Sequence, residues 1–290
     1  MDALHISISA ETLFHVGSFA VTNSMLTSMV VTVLILLLAF STKANLKTQG
    51  KPSKFQSLME VIIESLNSLI ESIAGKGKKL AIFGPFIVSF FMFILLNNWI
   101  GLLPGVGTIG ILEKESVAKV ESTERTSTEK VEEVSTTETT QVETHIESSE
   151  KEEGHTKFVP LFRPATADLN TTLALALISM TMVQVFGIKF QKLSYFSKFI
   201  NFSSPINFIV GILELVSEFA KIVSFSFRLF GNIFAGEVLL TVIMALVPVV
   251  VPMPFYGLEI FVGFIQSVVF SILSLVFFNM ATIGHHEEHA

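Results

Sequence analysis

One stretch rules out an ordinary water-soluble domain. From about Pro205 to Val251 the chain is almost continuously apolar, and Arg228 stands in its middle, within SFSFRLFGNIFAGEVLL (224–240). The protein has only three arginines; Arg125 and Arg163 fall in or beside polar segments, so Arg228 alone is deeply embedded. A guanidinium at bilayer depth costs about 2.5–3.5 kcal/mol on insertion scales. It cannot escape that cost by losing its proton, because its pKa stays above about 12. The apolar sequence on both sides is too long for it to snorkel to an interface. What remains is an anionic partner, a wet cavity, or an internal pairing with Glu214 or Glu218 of the same segment.

The segment also constrains architecture. As one straight helix, Asn201 to Leu246 would run ~67 Å, about twice the ~30 Å hydrocarbon layer. It must tilt strongly, lie partly along the membrane, or break. Half of the 290 residues are hydrophobic and the mean hydropathy is +0.65, enough for several spans. With no cysteine, disulfides and thiolate metal sites are excluded. The net charge of −6 belongs to one insert. Residues 111–157 hold 13 acidic and 6 basic side chains, net −7, against 12 and 13 elsewhere, net +1. That acidity carries no message about nucleic acid, and none is expected as a partner.

The expected fold is an all-α integral membrane protein with about five transmembrane helices and an amphipathic surface helix, the last two spans forming a long, strongly tilted hairpin. Residues 1–20 form an external segment with no Lys or Arg, unlike the positive start of a signal peptide. Residues 21–110 hold a first span (Val21 to Phe40), an amphipathic helix (Phe55 to Ile73) with Glu60, Glu64 and Glu71 on its polar side, and a second span (Leu80 to Leu103) ended by Pro104. Residues 111–157 are Glu/Thr/Ser-rich, with too little apolar surface to offset chain entropy, and are expected to be a disordered external loop. Residues 158–290 carry three more spans, with Pro248, Pro252 and Pro254 at the last turn. Lysines 43–54, 76–79 and 189–198 all fall on one side, which sets the N-terminus outside and the C-terminus in the cytoplasm.

Intramembrane polar residues fall into layers. Ser224, Arg228 and Asn232 share one helix face at i, i+4, i+8. Glu237 lies ~13 Å beyond the arginine, toward the outside. Glu259 and Gln266 share a face of the returning helix. Measured from the proline turn, Glu237 and Glu259 lie ~16 and ~10 Å deep. Asp168 and Asn170 open the third span at the same outer level, where a carboxylate at a helix N-terminus is also favoured by the helix dipole. Glu214 and Glu218 sit on the inner side. An outer set (Asp168, Glu237, Glu259) and an inner set (Glu214, Glu218) with a fixed cation between suit two ion-access routes that do not connect. No phosphate loop and no nucleophile–base pair occurs, so no cofactor is expected and the chain is not an enzyme by itself. His285, His286 and His289 in the tail are not expected to hold metal.

These segments resemble subunit a of F-type ATP synthases: FRLFGNIFAGE around Arg228, TADLNTTLALAL around Asp168, NNWIGLLPG at 97–105, and Gln266 in the last helix. The resemblance implies a membrane stator working against a rotating ring of c subunits, with subunit b as a peripheral-stalk partner. It implies that Arg228 faces the ring's ion-binding carboxylate, that Glu237 and Glu259 line the outer half-channel, and that Asn232 and Gln266 flank the arginine. Asp168 and Asn170 correspond to the family's polar helix start, and Glu214 and Ser224 to lining of the inner route. The carried ion is a proton, or alternatively Na+; a bacterial inner membrane is the expected location. The insert departs from the compact outer loop of most members. A secondary transporter would show internal repeats with paired broken helices, and none is visible. A mere anchor would not need layered intramembrane charge.

Overall fold

A computed structural model of the chain describes residues 10–44, 46, 52–103, 106, 109–114, 156–199, 204–247 and 250–283. Contacts divide it into two units, one of residues 1–110 with 160–290 and one of residues 111–159. Of the smaller unit, only the strands at its two margins are described: β3 (Gly110–Lys114) and β4 (Thr156–Pro160), which pair with each other. The body of the insert and the histidine tail lie outside the described residues.

The larger unit opens with an antiparallel hairpin, β1 (Thr12–Val16) and β2 (Phe19–Thr22), that the hydropathy reading did not anticipate. Gly17 takes φ +67° in its turn, a conformation glycine adopts without steric cost. Six helices follow: α1 (Asn23–Ala44), α2 (Lys54–Ala74), α3 (Lys78–Gly101), α4 (Leu169–Gln191), α5 (Pro205–Leu246) and α6 (Pro252–Ala281). All except α2 are long and apolar enough to cross a membrane, which makes five candidate spans among the described residues. The protein is a helical integral membrane protein, and short paired strands are the minor element among the described residues.

Helix limits follow local chemistry. Ser53 caps α2 by accepting from the Gln56 N–H at 3.1 Å, and Gly75 ends it at φ +79°. α5 and α6 each start on a proline in the first turn, where no intrahelical N–H is required. α5 is one unbroken helix of 42 residues, ~63 Å long at 1.5 Å per residue. Of the three options left open by its length, breakage is therefore the one not taken. A rod of that length exceeds the hydrocarbon thickness, which leaves tilting or lying partly along the membrane.

Lipid supplies no hydrophobic drive for helix association, so packing and interhelical hydrogen bonds must hold the bundle. Phe83, Phe186 and Phe278 cluster where α3, α4 and α6 meet, Phe186 and Phe278 edge to face with centroids 4.9 Å apart and Phe83 tilted against both. Phe225 of α5 joins through Phe270 at 5.0 Å. Small hydroxyls let the backbones approach: Ser179–Ser274 at 2.8 Å ties α4 to α6, and Thr172–Ser226 at 3.2 Å ties α4 to α5. One side of α5 stays uncovered, exposing Phe219, Val223 and Phe227.

Candidate functional site

The outer layer is a cavity of about 300 Å³ whose lining includes Asn98, Arg163, Glu237, Thr241, Tyr256 and Glu259. Proline geometry brings Arg163 there. The PLFRPA segment runs extended into a 3-10 turn (Ala165–Ala167), and the Pro164 ring packs directly on Gly101 of α3, where any Cβ would collide. The Arg163 amide donates to Thr27 Oγ1 of α1 at 3.3 Å. Its guanidinium turns to α5 and grips Glu237: Nε donates to Oε1 and Oε2 at 3.1 and 3.2 Å, and Nη2 to Oε2 at 3.0 Å. Arg163 is only 6 % exposed, whereas the Glu237 side chain keeps 32 % of its surface open. Sequence reasoning set Arg163 aside as a residue beside polar segments; the structure makes it half of an ion pair with Glu237 of α5.

Glu259 enters the cavity from α6. Its carboxylate lies directly against the Cα of Gly236, in space that any larger residue would fill. Among the described residues it accepts no hydrogen bond and makes no ion pair. The two outer glutamates therefore share a cavity but differ in bonding. Asn98 closes the α3 side, donating to the Gly263 carbonyl at 3.0 Å and accepting from Thr166 Oγ1 at 2.6 Å.

Asp168 is buried but does not line this cavity. It caps α4, accepting from the Asn170 N–H at 3.2 Å and from Ser24 Oγ of α1 at 2.9 Å. Asn170 itself is exposed on the first turn. The structure thus separates Asp168 from the glutamates with which depth alone had grouped it.

In the middle layer Asn232 Nδ2 donates to Gln266 Oε1 at 2.6 Å, joining α5 to α6. The buried Nε2 of Gln266 has no partner among the described residues. Arg228 and Ser224 lie on the uncovered side of α5, both exposed. With Ser217 and Lys221 they edge a shallow groove floored by Phe225 and Phe277. Among the described residues nothing ion-pairs or hydrogen-bonds with Arg228. Internal pairing with Glu214 or Glu218 is not what occurs.

Those inner carboxylates are engaged elsewhere. Lys198 approaches Glu214 at 2.7 Å and Glu218 at 3.7 Å, and Lys221 donates to Glu218 at 2.8 Å. Gln184 of α4 donates to Glu218 at 3.2 Å and accepts from the Tyr195 hydroxyl at 2.7 Å. Tyr195 lies in the 3-10 segment Lys192–Lys198, its ring against Gly187. Burial, reinforced by the negative charge of Glu218 and Glu214, pushes its phenol up to about 12. Gln184, Tyr195 and Lys198 were not singled out from sequence; their partners lie on another helix, and no spacing rule connects them.

Five helices able to cross a membrane, with carboxylates and an arginine spaced along α5, define a polytopic membrane protein. The chain belongs to the ATP synthase A chain family, whose model matches residues 25–279. It is accordingly an integral membrane stator component of the ATP synthase complex.

Proposed function

We propose that this chain forms two offset half-channels against a rotating ring of c subunits and couples proton passage to ATP synthesis. The observation that carries the reading is Arg228, exposed and without a partner among the described residues, between carboxylates above and below it. A permanent cation facing outward on a membrane helix calls for an anion on a neighbouring chain. A ring carboxylate arriving protonated from lipid ionises beside Arg228, because a nearby cation favours the charged form. Its proton leaves by one route and a fresh one arrives by the other. The outer route runs through the cavity at Glu237 and Glu259; the inner passes Ser224, Glu214 and Glu218. Asn232 and Gln266 hold the arginine's level, and Asp168 with Asn170 shapes the outer end of α4. Each charge crossing 100 mV supplies about 2.3 kcal/mol toward rotation. Phosphoryl chemistry takes place on other chains.

The lysine clusters favour a bacterial inner membrane with the N-terminus outside, and subunit b of the peripheral stalk is the expected stationary neighbour. The test is ATP-driven quenching of a pH dye in vesicles carrying the whole complex, with and without Na+. Sodium-independent quenching that Arg228→Ala abolishes is the expected result. Sodium uptake without quenching would change the ion to Na+ and keep the architecture. Pumping that survives Arg228→Ala would overturn the reading.

A further inference from the structure

Gln184 is a polar residue set among Met182, Val183, Val185 and Phe186 of α4, and the fold gives both ends of its amide a partner. Gly187 follows one turn later on the same face. It has no side chain, and the Tyr195 ring fills the space a Cβ would take. Lys192, at φ +55°, turns the chain so that the 3-10 segment lays that ring down, and Phe199 packs edge-on against it at 5.5 Å. With its phenol pushed up to about 12, the buried hydroxyl keeps its proton and donates to Gln184 Oε1 at 2.7 Å. The amide nitrogen is thereby turned to Glu218, to which it donates at 3.2 Å. A carboxylate only accepts, so a flipped amide would set oxygen against oxygen.

Glu218 is met from three elements: by Gln184 of α4, by Lys221 of α5 at 2.8 Å, and by Lys198 of the 3-10 segment at 3.7 Å. Lys198 also pairs with Glu214 at 2.7 Å, so two cations and two carboxylates share the cluster. Gln184 adds direction without adding charge. The buried carboxylate fronts a cavity of about 270 Å³ between α4 and α5, whose lining includes Thr181, Gln184, Phe199 and Phe219. We propose that Gln184, braced by the Tyr195 hydroxyl, is a positioning residue that aims the Glu218 carboxylate for proton exchange at this cavity. This rests on the reading of Glu218 as part of the inner route.

The experiment uses whole complexes in inverted membrane vesicles, whose cytoplasmic face meets the bath. ATP-driven proton pumping is normalised to complex abundance and compared with wild type at each bath pH. Gln184→Glu keeps the shape and the Tyr195 bond but offers Glu218 no hydrogen; near pH 8 it should pump at least about threefold less. By about pH 6 it should regain at least half of that loss, because a protonated carboxyl supplies the donor again. Lys198, Lys221 and Glu214, the other charges facing Glu218, are unchanged in it. Gln184→Leu should show a similar loss that low pH does not relieve. Tyr195→Phe keeps the ring on Gly187 and should cost about twofold or more alone, but nothing further in a Gln184→Leu background, since it acts only through Gln184. Wild-type pumping by Gln184→Glu near pH 8, a loss in that variant that persists near pH 6, or losses that multiply in the double variant would each overturn the proposal. If Gln184→Leu does not accumulate, Gln184→Glu decides by its pH profile. Full pumping by Glu218→Gln would instead remove Glu218 from the inner route.

Discussion

Single residues decide most of the chemistry, and they were unequally visible. Arg228 could be read from sequence because its cost is local: an arginine amid apolar residues must have a reason. Arg163 could not, since it lies among prolines and its partner is 74 positions away. Asp168 shows the opposite limit, for depth alone grouped it with the glutamates while its bonds make it a helix cap. Two predictions belong at this scale. Gly236→Ala should push the Glu259 carboxylate out of its seat and cut pumping roughly tenfold or more, as small misplacements of a reacting group do. Adding Glu259→Asp, one methylene shorter, should recover part of the loss in the same vesicle assay; no loss in the single variant would contradict the packing. Tyr195 concerns pH. Its folded value of about 12 exceeds the ordinary 10.0, so the fold favours the protonated phenol. That contribution to stability is complete below pH 10 and is lost as pH rises toward about 12. In a Tyr256→Phe background, phenolate absorbance should stay absent through pH 10 and emerge only near pH 12.

At the level of elements, hydropathy located every span to within a few residues, because membrane thickness imposes its own length scale. The β1–β2 hairpin escaped notice although its signal was present: two apolar strands joined by Gly17-Ser18. Scanning for spans favours runs of twenty and passes over runs of five. The length of α5 was legible and its continuity was not, since tilting, lying flat and breaking fit the same composition. The insert is judged by composition alone, and we expect it to be dispensable for ion movement. Deleting residues 115–155 while keeping β3 and β4 should leave pumping within about twofold, as surface insertions usually permit. Loss of pumping in a normally assembled complex would assign the insert a functional role.

For the whole molecule, which helix faces would be covered was beyond sequence reasoning. The phenylalanine cluster and the serine pairs draw on four helices, and in lipid an apolar face says nothing about whether protein or hydrocarbon will cover it. The uncovered side of α5 became recognisable only once its neighbours were in place. Besides the hydrogen bonds at Ser226 and Asn232, the same helix is pinned by an ion pair near each end: to Arg163 through Glu237, and to Lys198 through Glu214. About 35 Å of rod separates those fixings, and Arg228 lies between them. Mechanically this is a beam pinned at both ends and stayed at its middle. A beam held this way resists bending and sliding alike, and the exposed arginine takes its stiffness from the bonds of its neighbours on the same helix.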